Sequence, residues 1–111
     1  MRMWMVPPRM LCNKHLLGEH VECHMVAGSL LKGREASIKG LCDYSMLEPQ
    51  HLEARHAALA EELLRRGMRH ASDLPEVPQK RPHGDVDVQE SYRQLLSRCD
   101  DCAARMKEAL A

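Results

Sequence analysis

The chain begins Met1-Arg2-Met3-Trp4, and His15 and Glu22 follow at a spacing of seven residues. In a helix, positions i and i+7 lie on one face, separated by about 10.5 Å of rise. The first two dozen residues can therefore hold an α-amine, a guanidinium, an imidazole and a carboxylate in one neighbourhood. An amine attacking an electrophilic carbon while a carboxylate moves protons is the chemistry such a set supports. The same residue types also have plainer uses. A lone acid on an apolar helix can be half of a structural ion pair, a lone histidine can be a satisfied packing residue, and Arg2 can be a solvated arm residue.

Other residues could carry chemistry further along. His20 and His24 stand four apart, a spacing that can bind a metal, and Cys99-Asp-Asp-Cys102 is a CxxC pair. They would join in one zinc site only if the last helix packed its C-terminal half against the first. Otherwise they are core cysteines and surface histidines. Arg65 and Arg66, with Arg69 beyond, are either a solvated helix end or phosphate contacts.

The elements that position these groups are legible from periodicity and caps. Pro7-Pro8 ends an extended N-terminal arm. With Asn13 as N-cap, a helix should run from about Lys14 to Leu31 and stop at Gly33. Its apolar residues cover most of the circumference, which predicts a central helix carrying His15, Glu19 and Glu22 as a polar strip. Residues 33–47 read as a loop with room for a short helical turn. Pro49 opens a second helix striped by Leu52, His56, Leu59, Leu63 and Leu64 and closed by Arg65-Arg66-Gly67. Residues 71–86 hold three prolines and a glycine and should form a long irregular connection. Asp87, three before Glu90, starts a third helix that runs to near the C-terminus. The fold class expected is all-α, a single domain over 1–111 with three main helices and the arm laid against the first two.

Composition agrees. A length of 111 residues suits one domain with a modest core. With one Trp, two Tyr and no Phe, that core must come from Leu, Ala, Val and eight Met, which favours helices over a sandwich. No apolar run approaches the length of a bilayer span and no signal-peptide core is present, which predicts a cytoplasmic protein, or a nuclear one in a eukaryotic host, without a membrane partner. Five cysteines, an odd number without a secretory signal, argue for reduced thiols. The formal net charge of zero gives no independent support for nucleic-acid binding.

The N-terminal segment nevertheless resembles the pyrimidine-dimer DNA glycosylase family of the phage endonuclease V type. Those enzymes place an arginine after the N-terminal residue and then a helix of pattern Asp-Gln-His-Leu-Met-Ala-Glu-x-Arg-Glu. Here the stretch reads Asn13-Lys14-His15-Leu16-Leu17-Gly18-Glu19-His20-Val21-Glu22, and the intervals from Arg2 to His15 and from His15 to Glu22 match. Glu62-Leu63-Leu64-Arg65-Arg66-Gly67 is similar to the family's Glu-Cys-Leu-Lys-Arg-Gly close. The resemblance spans roughly residues 1–31 and 47–75. It implies a DNA glycosylase with coupled abasic-site lyase activity, acting on double-stranded DNA with a damaged or modified pyrimidine.

On that resemblance Met1 and Glu22 are the catalytic residues, and Arg2, His15, Arg65 and Arg66 contact DNA. The Met1 α-amine would form an imine with C1′ of the nucleotide, and Glu22 would handle protons. An α-amine titrates near 8, so a useful fraction is nucleophilic without extreme tuning. Arg2 is too bulky for methionine removal, so Met1 itself should supply the amine. The chemistry calls for no metal or other cofactor. Two family arginines are Val21 and Met25 here, which implies weaker phosphate binding. The alternatives of another class are a non-catalytic DNA- or protein-binding relative on the same scaffold, and a small zinc-binding interaction module.

Overall fold

A computed structural model describes residues 1–69 and 72–110. It has five α-helices and, among the described residues, no strand: α1 (Asn13–Leu31), α2 (Glu35–Asp43), α3 (Leu52–Arg65), α4 (Val88–Arg98) and α5 (Asp100–Leu110). Short 3-10 turns, Pro8–Met10 and Pro49–His51, precede α1 and α3. α1 packs mainly on α3 and also meets α2, while α4 and α5 form a hairpin whose second helix rests on the Pro8–Met10 turn. The all-α expectation holds. Two of its details change. The stretch expected as a loop contains the nine-residue α2, and the expected third helix is two helices, broken at Cys99 (φ −133°, ψ 105°).

α1 buries Leu16, Glu19, His20, Cys23, Val26, Ala27 and Leu30. It is not apolar on all sides toward the core, as its sequence suggested. Leu17, Val21, Met25 and Leu31 are each 43–51% exposed. Its cap also differs from expectation. Asn13 is the first helical residue, and Cys12 is the N-cap, its thiol accepting from the His15 N–H at 3.4 Å. The stops follow the sequence. Gly33 (φ 73°) and Gly67 (φ 75°) take the left-handed conformation that ends α1 and α3, with Arg34 N–H reaching back to Ser29 O and Met68 N–H to Leu63 O.

The N-terminal arm runs through the core. Met3, Val6 and Leu11 are fully buried, and the Met3 N–H donates to Met46 O at 2.8 Å. Two arginines, Arg55 of α3 and Arg66 just past its end, hold this arm. Arg55 forks onto Glu19, Nε to Oε2 at 2.5 Å and Nη2 to Oε1 at 2.9 Å, and also donates from Nη1 to Val6 O at 2.7 Å. Arg66 donates to the carbonyls of Pro8, Arg9 and Leu11 and to Asn13 Oδ1, with Nε on Glu62 at 2.8 Å. Each satisfies chain that has no ladder of its own, which a buried backbone requires.

The segment from Ser72 to Val86 has no regular element, as the prolines predict; Ala71, the first residue of the expected connection, lies outside the described residues. Side chains of the α3 region tie it down. Arg81 forks onto Glu53 (2.7 and 2.8 Å) and reaches Pro49 O, while Glu48 accepts from the Val86 N–H at 2.7 Å. Gly84 passes so close to the chain that a Cβ there would lie 1.9 Å from Leu47 O. No helix among the described residues is long and apolar enough to cross a membrane.

Candidate active site

α1 presents His15, Gly18 and Glu22 to an open cavity of about 500 Å³, and the arm supplies Arg2 and Trp4 to the same hollow. This lies within the ~300–1,000 Å³ typical of small-ligand sites. Glu22 is the fixed point. Its Oε2 accepts the Arg2 main-chain N–H at 2.7 Å, which places the carboxylate one residue from the Met1 amine. Burial pushes the Glu22 carboxyl above the ordinary carboxylate range. The Arg2 N–H and the charge of the Met1 amine oppose that rise, and neighbouring Glu19 adds to it.

The Arg2 side chain lies over Trp4, its guanidinium carbon 4.0 Å from the ring centroid, and donates from Nη1 to Gln94 Oε1 at 2.9 Å. Its buried Nε has no partner among the described residues. Burial lowers the Arg2 pKa, and the charge of Arg98 lowers it further. Trp4 in turn meets the His15 ring edge to face at 5.8 Å. Burial holds His15 below its usual value, with the charges of Lys14 and Arg98 acting in the same direction, so the ring is neutral near pH 7. Its Nδ1 faces Cys12 Sγ at 3.2 Å and Cys102 Sγ at 3.5 Å.

The structure thus brings Arg2, His15 and Glu22 together beside Met1, as the spacing suggested. It does not bring Arg65 and Arg66 to them. Arg66 is buried against main-chain carbonyls, with its donors already engaged there. Arg65 is exposed and forks onto Glu62 (2.8 and 2.5 Å) at the far end of α3. The cations that do line the cavity are Lys14, Arg98 and Arg2. Lys14 was visible as the neighbour of His15. Arg98 comes from α4 and had no local signal, because only the packing of the C-terminal hairpin carries it there.

The zinc alternative is also rearranged. The CxxC pair meets Cys12 and His15, not His20 and His24. His20 and His24 face His56 of α3 instead, with ring centroids 4.7–5.0 Å apart. α5 starts beside the N-terminus of α1, whereas the two histidines lie further along that helix on its α3 side.

The all-helical body thus holds a carboxylate one residue from the N-terminal amine, in a cavity rimmed by Arg2, Lys14 and Arg98. A family model described as pyrimidine dimer DNA glycosylase matches residues 1–76, and the chain belongs to that family. At that level it is an enzyme of the DNA glycosylase class, with DNA as its substrate. The matched part contains Met1, Arg2, His15 and Glu22 and ends before α4 and α5. No curated protein and no solved structure matches the chain.

Proposed function

We propose that the chain is a DNA glycosylase with coupled abasic-site lyase activity, with the Met1 α-amine as nucleophile and Glu22 as the proton-handling group. The observation that carries this reading is the 2.7 Å bond from the Arg2 N–H to Glu22 Oε2, which ties the catalytic carboxylate to the start of the chain. The amine nitrogen attacks C1′, the bond from C1′ to the pyrimidine breaks, and its electron pair leaves with the base, which takes a proton. The nitrogen then loses a proton, its lone pair opens the sugar ring and O4′ takes a proton, giving a protonated imine. Loss of a proton from C2′ sends an electron pair into a new double bond to C3′ and expels the 3′ phosphate. A carboxyl raised toward neutrality can both give and accept protons in these steps.

Arg2, His15, Lys14 and Arg98 hold phosphates at the rim. His15, neutral and turned by Nδ1 toward the thiols, leaves Nε2 on the opposite edge of its ring as a donor. The target nucleotide has to leave the stack for C1′ to reach the amine.

Borohydride reduction of a mixture with an abasic-site duplex tests the amine. The expected outcome is a covalent protein–DNA adduct at Met1, lost when an uncleaved extension precedes Met1. An extended chain that traps as well as the native one would move the nucleophile to a lysine and sink the assignment.

A further inference from the structure

Cys12, His15, Cys99 and Cys102 converge on one point, their ligand atoms all within 4.8 Å of one another. Cys12 Sγ lies 3.8 Å from Cys99 Sγ and 3.2 Å from His15 Nδ1, and Cys102 Sγ lies 3.5 Å from the same nitrogen. A tetrahedral zinc with its usual bond lengths sets sulfur–sulfur edges of about 3.8 Å and sulfur–nitrogen edges of about 3.6 Å. The three edges given lie within about 0.4 Å of those of such a tetrahedron, and the other three are no longer than 4.8 Å. We propose that they bind one zinc ion, a closed structural site of three cysteines and one histidine.

The local backbone supports this reading independently of those distances. Each ligand pair has the form Cys-x-x-ligand across a helix start, Cys12 with His15 at α1 and Cys99 with Cys102 at α5. In both, the first sulfur accepts an N–H from the second ligand, His15 to Cys12 Sγ at 3.4 Å and Cys102 to Cys99 Sγ at 3.4 Å. The Cys12 N–H adds a third such bond, to Cys102 Sγ at 3.2 Å. Main-chain donors aimed at sulfur, and helix N-termini behind them, stabilise thiolates and orient metal ligands. Cys12 and Cys102 are buried, and Cys99 and His15 are partly exposed, which leaves the ion a way in.

Binding replaces three thiol protons with one divalent cation, and neutral His15 contributes the Nδ1 lone pair. The site stitches the start of α5 to the start of α1, joining the C-terminal hairpin to the segment matched by the family model. It also fixes the His15 tautomer, because a metal on Nδ1 leaves the proton on Nε2, toward the cavity.

The test is metal content and cobalt spectroscopy on the full reduced chain. We expect about one zinc per chain after purification without chelators. The cobalt(II) form should show tetrahedral d–d absorption together with a sulfur-to-cobalt charge-transfer band. Cys99→Ser should weaken binding at least about tenfold, and His24→Asn should leave the metal content unchanged. If Cys99→Ser fails to fold, the charge-transfer intensity of the native chain counts the thiolates instead. Absence of both bound zinc and the cobalt band would overturn the proposal. So would cobalt bound without the sulfur band, which would place the metal on His20, His24 and His56, and so would a Cys12–Cys99 disulfide in the freshly purified protein. None of these readouts depends on glycosylase activity.

Discussion

On the proposed mechanism, Glu22 is held in a position that favours chemistry over stability. Its carboxyl is raised mainly by burial, so the folded state binds its proton more tightly than the unfolded chain does. The stability it contributes is full below its unfolded pKa and is lost as pH rises through the folded value. At neutral pH the ionised group is therefore a cost to the fold. Glu22→Gln, which keeps an acceptor for the Arg2 N–H, should lower strand cleavage of an abasic duplex at least about 10²-fold. It should melt no lower than the native protein at pH 7, and the difference between the two should narrow as pH falls. Single-turnover cleavage and thermal melts across pH check both halves. Unchanged cleavage would remove Glu22 from the mechanism, and an unfolded variant would make it a structural ion-pair partner instead.

At the scale of elements, the arm matters most, because it carries Met1 and Arg2 yet has no ladder of its own beyond the Pro8–Met10 turn. Arg55 serves three elements at once, joining α3 to Glu19 of α1 and to the Val6 carbonyl. Its side chain is 6% exposed and that of Glu19 is 0%, so removing one partner strands a buried charge. Arg55→Ala should cost about 3–5 kcal/mol in urea unfolding. Glu19→Gln combined with Arg55→Met should lose much less, because no charge is then left unpaired. A single variant as stable as the native chain would mean that the pair is solvated. The break at Cys99 belongs to this scale as well. It leaves Cys99 just before the first residue of α5, where its sulfur accepts the Cys102 N–H at 3.4 Å.

For the molecule as a whole, net charge is zero, so on the proposed function the attraction for DNA is local to the cavity rim. Lys14, Gly18, Val21 and Met25 form one helical stripe beside Glu22, and Val21 is 49% exposed. With a handful of contacts from Arg2, Lys14, His15 and Arg98, binding to undamaged duplex should be weak. The log–log salt slope should be about −3 to −5. Val21→Arg should steepen it by about one unit, as read by fluorescence anisotropy across a salt series. Identical slopes for the two proteins would show that DNA does not run along this stripe.

The sequence by itself determined the helical class, the stops at Gly33 and Gly67, the irregular stretch through the prolines and the shared face of His15 and Glu22. Each of these depends on short-range periodicity, on backbone chemistry or on spacing within one helix. Tertiary structure alone decided the rest. Arg66 reads locally like any cation in a last turn, yet it is buried because the arm's carbonyls need donors. Arg98 reaches the cavity, and Gln94 reaches Arg2, only through the packing of a hairpin far along the chain. Cys12 gives no periodic signal, and its pairing with Cys99 and Cys102 spans almost the full length of the protein. Contacts between such distant residues leave no trace in local spacing, because the packing of whole helices sets them.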